Sequence, residues 1–227
     1  MGITLSVTAN LISLRLGLVP EGDEQTVCDN AVKRTIEECD GHVSVGVLGI
    51  QHLMRGLTEH GAKDLAYKIA TNETYPSWGY MINRGATTIW ELWNGDTADP
   101  AMNSRNHVML LGDVLIWMYE NLAGIKNHPD SIGFKTILMA PVFPDGLDFV
   151  KASHMTPYGL VSSHWQRNGD SLEWEVIIPS NTSAELIVPS SFKLQLNKGP
   201  HKNCQVHEDN GLWKATIGAG QFSFKSR

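Results

Sequence analysis

The spacing of hydrophobic residues changes from a helical pattern to a strand pattern near residue 127. Before that point, hydrophobic residues recur three or four positions apart, as they do on the buried side of a helix. Beyond it, they alternate with polar residues in short runs bounded by Gly, Pro, Asn or Asp, a pattern typical of strands. This change predicts a helical domain over residues 1–126 and a small antiparallel β-sandwich over residues 127–227.

The helical part is predicted to contain five helices. Four of them form two helical hairpins, over about residues 8–18, 24–39, 47–61 and 65–69. The fifth covers residues 104–122 and places His107 on its buried face, near its N-terminal end. Between residues 75 and 95 the helical period is lost, and irregular backbone between helices is a common location for function.

Strands are predicted in the second domain at residues 134–139, 161–166, 171–178, 184–188, 192–196, 212–217 and 222–224. Asn168-Gly169-Asp170 is a strong hairpin-turn signal between two of them. Three tryptophans of these strands, Trp165, Trp174 and Trp213, fit either a sugar-binding platform or packing in the core or between domains. Packing is the favoured interpretation, because tryptophans in strands are more often buried.

Composition excludes several classes of protein. With 227 residues, 42% of them hydrophobic, the chain can bury a sizeable core. Its formal net charge of -6 and the absence of a Lys/Arg run argue against a nucleic-acid partner, and no apolar run is long enough to span a membrane. No signal peptide is recognisable, which leaves the localisation open. The three cysteines lack metal-ligand spacing and are expected to be reduced thiols, so neither a metal nor a cofactor is predicted.

Glu91 lies between Trp90 and Trp93, an unusual environment for a carboxylate because apolar rings exclude the water that stabilises its charge. Aromatic rings beside a carboxylate are what a sugar-processing site needs, since rings pack against the CH faces of a pyranose while the carboxylate moves protons. The alternative is structural: both tryptophans are core anchors and Glu91 is the half-buried partner of an arginine. His107 has a similar alternative as a hydrogen-bonded core residue.

A family resemblance rests on motifs that occur in a fixed order. In the helical part these are Gly-Leu-Val-Pro-Glu, Gly-His-Val-Ser-Val-Gly, Tyr-Pro-Ser-Trp-Gly-Tyr-Met-Ile, Gly-Ala-Thr-Thr-Ile-Trp-Glu and Met-Asn-Ser-Arg-Asn-His. In the second part they are Gly-Phe-Lys, Lys-Ala-Ser and Thr-Pro-Tyr-Gly. Together they resemble the bacterial α-L-rhamnosidases of glycoside hydrolase family 78, over nearly the whole chain.

The resemblance implies part of an (α/α)6 six-hairpin barrel, followed by a β-sandwich, in an enzyme that releases terminal α-L-rhamnose with inversion from a glycoside or polysaccharide. By motif, Glu91 matches the general base that deprotonates the attacking water, and His107 matches a histidine that hydrogen-bonds the bound rhamnose. The resemblance also implies that His42 lies on a loop at the mouth of the barrel and that three tryptophans form walls of the pocket: Trp78, Trp90 and Trp93.

The chain departs from the family in two respects. Six hairpins require twelve helices, whereas five are predicted, and the motif that carries the family's general acid does not occur. We therefore expect the chain alone to be inactive, with exposed apolar helix faces that a second chain or a homo-oligomer covers. Two alternatives stay open: a non-catalytic carbohydrate-binding or interaction module derived from this fold, and a six-hairpin glycosidase with another sugar specificity.

Overall fold

A computed structural model describes residues 6–101 and 103–226, which form two compact units that follow one another at Trp117 and Met118. Unit 1 is helical. Among its described residues it contains six α-helices, α1 (Val7–Arg15), α2 (Glu24–Glu37), α3 (Val47–Glu59), α4 (Lys63–Thr71), α5 (Trp78–Asn83) and α6 (Met109–Trp117).

Helix α3 is the centre of unit 1, because α1, α4 and α6 all pack against it. Its buried residues include Ile50, Leu53 and Leu57, which are fully inaccessible to solvent. Two glycines allow α1 to approach closely. A Cβ atom on Gly49 would lie 2.6 Å from a side-chain oxygen of α1, and one on Gly56 would lie 3.2 Å from a leucine methyl of α1. Larger residues at these positions would push the two helices apart.

Two polar contacts join α3 to α6. The guanidinium of Arg55 binds the fully buried carboxylate of Asp113, with Nε 2.9 Å and Nη2 2.8 Å from Oδ1. One helical turn further along, the indole N–H of Trp117 donates to the Thr58 hydroxyl at 2.8 Å. A charge-assisted bond of this kind is directional, so it sets the rotation of α6 about its own axis as well as its position.

The sequence pattern located the first four helices to within a few residues and paired them correctly, since α1 packs on α2 and α3 on α4. It missed α5, which has only six residues and therefore no measurable period. The Ser77 hydroxyl caps α5 by accepting the Tyr80 N–H at 2.9 Å. The prediction for the fifth helix was wrong at its start: α6 begins at Met109, so His107 precedes the helix and is not on its buried face.

Helix α6 carries apolar residues around most of its circumference. Leu110, Val114 and Trp117 are buried, whereas Leu111, Leu115 and Ile116 are 37–48% exposed. A helix that is hydrophobic on both sides is normally covered on both sides. The described part of unit 1 covers one side of α6 and leaves the other side exposed.

Unit 2 begins with a π-helical turn, Met118–Leu122, and continues as two five-stranded sheets that form a sandwich. The first sheet has the order β1 (Ile125–Asn127), β2 (Thr136–Met139), β6 (Ser183–Pro189), β9 (Leu212–Ile217) and β8 (Cys204–Asp209). The second has the order β3 (Phe149–Thr156), β4 (Gly159–Asn168), β5 (Ser171–Ile178), β10 (Gly220–Ser226) and β7 (Leu194–Lys198).

The predicted hairpin turn is confirmed, because Asn168 on β4 pairs with Ser171 on β5. Three strands were not predicted: β1, β3 and β8. The sheets are also not wholly antiparallel, since β2 and β6 run parallel to each other, with Ile137 opposite Ala184. Strand pairing of this kind joins residues far apart in the chain and leaves no local trace in the sequence.

Trp165, Trp174 and Trp213 lie in the core of unit 2 and are at most 1% exposed, as the favoured interpretation predicted. The indole N–H of Trp165 donates to the Leu122 carbonyl at 2.8 Å, and that of Trp174 donates to the Ser163 hydroxyl at 3.0 Å. The three rings therefore stabilise the sandwich and do not form a surface platform.

The three cysteines are free thiols. Burial raises the pKa of the Cys28 thiol to about 11, and the adjacent carboxylate of Asp29 acts in the same direction. Within the described residues, no helix is long and apolar enough to cross a membrane.

Replacing Arg55 with Met tests the bond between α3 and α6. The change keeps the aliphatic stem and leaves the buried carboxylate of Asp113 without its guanidinium, so we expect unit 1 to lose about 3 kcal/mol of stability. Urea unfolding followed by the helical circular-dichroism signal measures this loss. The matched control is Arg34→Met, whose partner Glu38 is 54% exposed; it should change stability by less than about 1 kcal/mol. Equal effects would contradict the role assigned to the buried pair.

Candidate functional site

The segment between α5 and α6 contains the predicted catalytic residue, and its described residues form no helix or strand. Two indole N–H groups attach this segment, and the helix α5 that precedes it, to the rest of unit 1. Trp78 on α5 donates its N–H to the Leu110 carbonyl of α6 at 3.0 Å, and Trp93 donates to the Val45 carbonyl, just before α3, at 3.1 Å. The two rings meet edge to face, with centroids 5.4 Å apart. An irregular segment is thus held on a rigid support.

Glu91 is half-buried and is held by Ser104 through two hydrogen bonds. The backbone N–H of Glu91 donates to the Ser104 carbonyl at 2.8 Å, and the Ser104 N–H donates to Oε2 of Glu91 at 2.9 Å. The other carboxylate oxygen, Oε1, accepts no hydrogen bond from the described residues. One oxygen therefore orients the side chain while the second stays available to a water or a substrate hydroxyl.

Asn103 also holds the loop that follows Glu91. Its side-chain oxygen accepts the Leu92 N–H at 3.3 Å, and its side-chain nitrogen donates to the Gly95 carbonyl at 3.2 Å. On the other side of Glu91, the Thr88 hydroxyl donates to the Arg105 carbonyl. Residues 88–95 and 103–107 are consequently joined along their length by local hydrogen bonds.

His107 lies in this second segment, where its backbone N–H donates to the Ile89 carbonyl at 2.7 Å. His107 therefore lies opposite Ile89, which is two residues before Glu91 in the neighbouring segment. Its ring nitrogen Nδ1 is buried and has no hydrogen-bond partner among the described residues. A buried polar atom without a partner is uncommon in proteins, and a water or ligand hydroxyl is the usual explanation.

Trp90 is 5% exposed and packs beneath the loop. A Cβ atom on Gly95 would lie 2.8 Å from the Trp90 ring, so the backbone at Gly95 rests directly on the indole. Only glycine permits this approach. Trp90 thus supports the loop that carries Glu91, and the structure gives its ring little exposed surface.

His42 lies in the loop between α2 and α3 and uses both ring nitrogens within the chain. Nδ1 is 3.1 Å from the Asp40 carbonyl oxygen, and Nε2 is 2.7 Å from the Thr74 hydroxyl. Within the part of the chain that the structure describes, His42 makes no hydrogen bond to Glu91 or His107. Its contribution to a sugar site stays a prediction.

The structure therefore places Glu91, His107, Trp90 and Trp93 in one supported segment, with Trp78 on the helix that precedes it. The structural alternative for this segment predicted tryptophan anchors and an ion pair between Glu91 and an arginine. The tryptophans are anchors, but Glu91 forms no ion pair with an arginine among the described residues. Sequence reasoning did not assign roles to Asn103 and Ser104. Both lie in the Met-Asn-Ser-Arg-Asn-His motif, so that motif was the available signal.

Metal binding has no evident location here. In residues 6–101 and 103–226, no three His, Cys, Asp or Glu side chains are grouped so that they could share a metal ion.

Two family models match consecutive parts of the chain. The bacterial alpha-L-rhamnosidase 6 hairpin glycosidase domain matches residues 3–122, and the bacterial alpha-L-rhamnosidase C-terminal domain matches residues 124–202. The first of these matches covers more than half of the 227 residues.

Known alpha-L-rhamnosidases are similar to this chain both in sequence and in structure. An alpha-L-rhamnosidase of Formosa agariphila is 40% identical over 193 residues, 83% of this chain and 20% of that protein. The crystal structure of the Streptomyces avermitilis alpha-L-rhamnosidase complexed with L-rhamnose superposes with a TM-score of 0.86 at 32% identity, over 97% of this chain and 21% of that one. The Dictyoglumus thermophilum alpha-L-rhamnosidase superposes at 0.87 with 31% identity, over 98% and 25%. The chain thus spans about a fifth to a quarter of the length of these relatives.

Replacing Asn103 with Ala tests whether this side chain holds the loop after Glu91. The change removes the acceptor of the Leu92 N–H, so the Leu92 amide should exchange its hydrogen about three to ten times faster. Hydrogen exchange followed by NMR measures the rate. Asn106→Ala is the matched control, because the Asn106 side chain makes no hydrogen bond to the described residues; it should leave the rate unchanged. Equal rates in the wild-type chain and Asn103→Ala would refute this role.

Proposed function

Since this chain belongs to the family of bacterial α-L-rhamnosidases, we propose that it is a C-terminal portion of an inverting α-L-rhamnosidase in which Glu91 is the general base. The observation that carries the proposal is the environment of Glu91: one carboxylate oxygen is held by the Ser104 N–H and the other is unoccupied. A general base needs both features, because it must be oriented and must still accept a proton.

Inversion sets the geometry that Glu91 would serve. The attacking water must reach the anomeric carbon from the face opposite the leaving oxygen, so the acid and the base stand roughly 6.5 to 9.5 Å apart with the water between base and sugar. In the proposed step, Glu91 Oε1 accepts a proton as the water oxygen bonds to the anomeric carbon. The glycosidic bond breaks, and its oxygen leaves with a proton from the acid.

The neighbouring residues have supporting roles in this proposal. His107, which matches the family's rhamnose-binding histidine by motif, hydrogen-bonds a hydroxyl of the bound rhamnose. Trp93 is half-buried and presents part of its ring to the sugar, whereas Trp78 and Trp90 act mainly by holding the site in place. His42 belongs to the rim of the site.

The general acid is the group that the sequence motifs do not supply. Without protonation of the leaving oxygen, the reaction loses on the order of 10²–10⁴-fold in rate. We therefore propose that the chain alone is inactive and that another helical polypeptide, or a second copy of this chain, completes the barrel. The exposed Leu111, Leu115 and Ile116 of α6 support this proposal, because they form an apolar surface that such a partner covers.

A non-catalytic sugar-binding module is the second candidate, because Trp93 leaves part of its ring exposed and needs no general acid to contact a sugar. In that case the wild-type chain binds L-rhamnose, and His107→Ala weakens binding by about tenfold because one buried hydrogen bond is lost. Calorimetric titration measures this. The control is His201→Ala in unit 2, which should leave binding unchanged. Saturable binding without a response to His107→Ala argues against the assigned contact, and no detectable heat argues against a stand-alone module.

Catalysis is tested with an aryl α-L-rhamnoside. The chain alone should release no rhamnose above background, whereas the same sequence completed by the remaining hairpins should turn over. In the completed enzyme, Glu91→Gln should remove most of kcat and leave substrate binding nearly intact, because it deletes only the base. Glu73→Gln, an exposed glutamate before α5, is the control and should retain full turnover. Normal turnover by Glu91→Gln would overturn the assignment of the base, and turnover by the chain alone would overturn its inactivity.

A further inference from the structure

Unit 2 has an open side, at which each of its two sheets ends in a strand that pairs with a single neighbour. These strands are β8 in the first sheet and β7 in the second, and a cleft with a volume of about 930 Å³ lies between them. Buried apolar side chains form its inner end and exposed charged ones form its rim; they include Leu194, Leu196, Val206, Trp213, Lys193 and Glu208.

The pairing of β8 with β9 shows which side chains of β8 face the cleft. Val206 lies opposite Ala215 and Glu208 lies opposite Trp213, and both of these partners belong to the core. Side chains directly opposite each other on paired strands lie on the same face of a sheet. Val206 is nevertheless 50% exposed, whereas Ala215 is fully inaccessible to solvent. The core-facing side of β8 is therefore open to solvent along the cleft.

The opposite wall comes from β7 and from the turn that precedes it. Leu196 lies opposite the core residue Phe224, and Leu194, on the same face of β7, is buried. In the turn, the side chain of Lys193 is exposed, while its backbone N–H donates to the Ser190 carbonyl at 2.9 Å. The two leucines thus give this wall an apolar surface, and a lysine with a fixed backbone stands at its edge.

One ammonium and one carboxylate give the cleft charges of both signs. Neither Lys193 nor Glu208 forms an ion pair or a side-chain hydrogen bond with the residues that the structure describes. A ligand with a single charge would be attracted by one of these groups and repelled by the other. A hydroxyl both donates and accepts hydrogen bonds, so a neutral sugar can bind the ammonium and the carboxylate together. The CH faces of such a sugar would pack against the apolar side chains.

An added strand from another polypeptide is the other ligand that an open sheet edge suggests. Glu208 argues against it. A strand that paired with β8 would cover the core-facing side of that strand and would remove the Glu208 carboxylate from water without giving it a partner. Charged residues that point inward in this way keep sheet edges unpaired. The hydroxyls of a sugar, in contrast, replace the water around the carboxylate with hydrogen bonds.

We propose that the cleft between β7 and β8 binds a neutral oligosaccharide, as a second saccharide site that lies in unit 2. Its volume is within the roughly 300–1,000 Å³ typical of sites that enclose a drug-sized ligand, so it accommodates a molecule such as a disaccharide. The chain belongs to a family of glycoside hydrolases, which act on saccharides. The inference goes beyond the proposed function, because it does not require Glu91 to be the general base.

NMR titration of the full 227-residue chain tests the proposal through the methyl signals of Leu194 and Val206. The probes are maltotriose, an α-L-rhamnosyl-glucose disaccharide, hexanediol and tri-L-alanine. We expect at least one of the two oligosaccharides to shift both signals saturably, and hexanediol and the peptide to shift neither.

Two substitutions test the polar groups of the cleft. Glu208→Ala and Lys193→Met should each weaken oligosaccharide binding by about threefold or more, because each removes a hydrogen bond to a charged group. The matched controls are Glu175→Ala on β5 and Lys151→Met on β3. Both controls change exposed residues that do not line the cleft, so they should leave binding unchanged.

Other outcomes would overturn the proposal. No shift with either oligosaccharide means that the cleft binds no saccharide. Hexanediol binding as tightly as the better oligosaccharide means that the cleft recognises apolar surface alone, and tighter binding of tri-L-alanine means that it is a peptide site. A response that survives both Glu208→Ala and Lys193→Met places the sugar elsewhere. Titration with L-rhamnose, read at the indole signal of Trp93, tests the proposed function separately, because Trp93 lies in unit 1.

Discussion

Two indole N–H groups hold the candidate site on its support. Trp78 and Trp93 donate to the Leu110 and Val45 carbonyls, and their rings pack edge to face. A buried N–H without an acceptor costs about 1–3 kcal/mol, so the bond of the buried Trp78 strongly favours one position of the segment between α5 and α6, and the part-buried bond of Trp93 acts in the same direction. The described residues of the segment form no helix or strand, and their geometry depends on these attachments.

These attachments fix the segment because the helices that accept them are themselves held in place. Val45 lies two residues before the start of α3, and Leu110 lies in the first turn of α6. The buried bond between Arg55 and Asp113 relates those two helices to each other. Glu91 is therefore oriented through a chain of contacts: α3 to α6, the indoles to both helices, and Ser104 to the carboxylate. Support of this kind is what a catalytic carboxylate requires.

The sequence predicted those helices and strands that have one buried face and one exposed face. Strand β5 has alternating buried and exposed residues, and its bounds were predicted without error. Strand β8 is exposed at all but its first residue, and Thr156 is the one fully buried residue of β3, so neither strand has a buried hydrophobic face, and both were missed. The predicted start of the last helix was wrong for a related reason. His107 fits the helical period of residues 110–122, but its N–H bonds to Ile89 instead of joining the helix.

The sequence by itself determined the change from helices to strands near residue 127, the family, and the identity of Glu91 and His107 as candidate site residues. These features are local, since periodicity and motifs are written in neighbouring residues. Only the tertiary structure decided that Ser104 and Asn103 hold the loop around Glu91, that β2 runs parallel to β6, and that β7 and β8 leave a cleft between them. Each of these depends on groups distant in sequence, whose hydrogen bonds and charges meet only after the chain has folded.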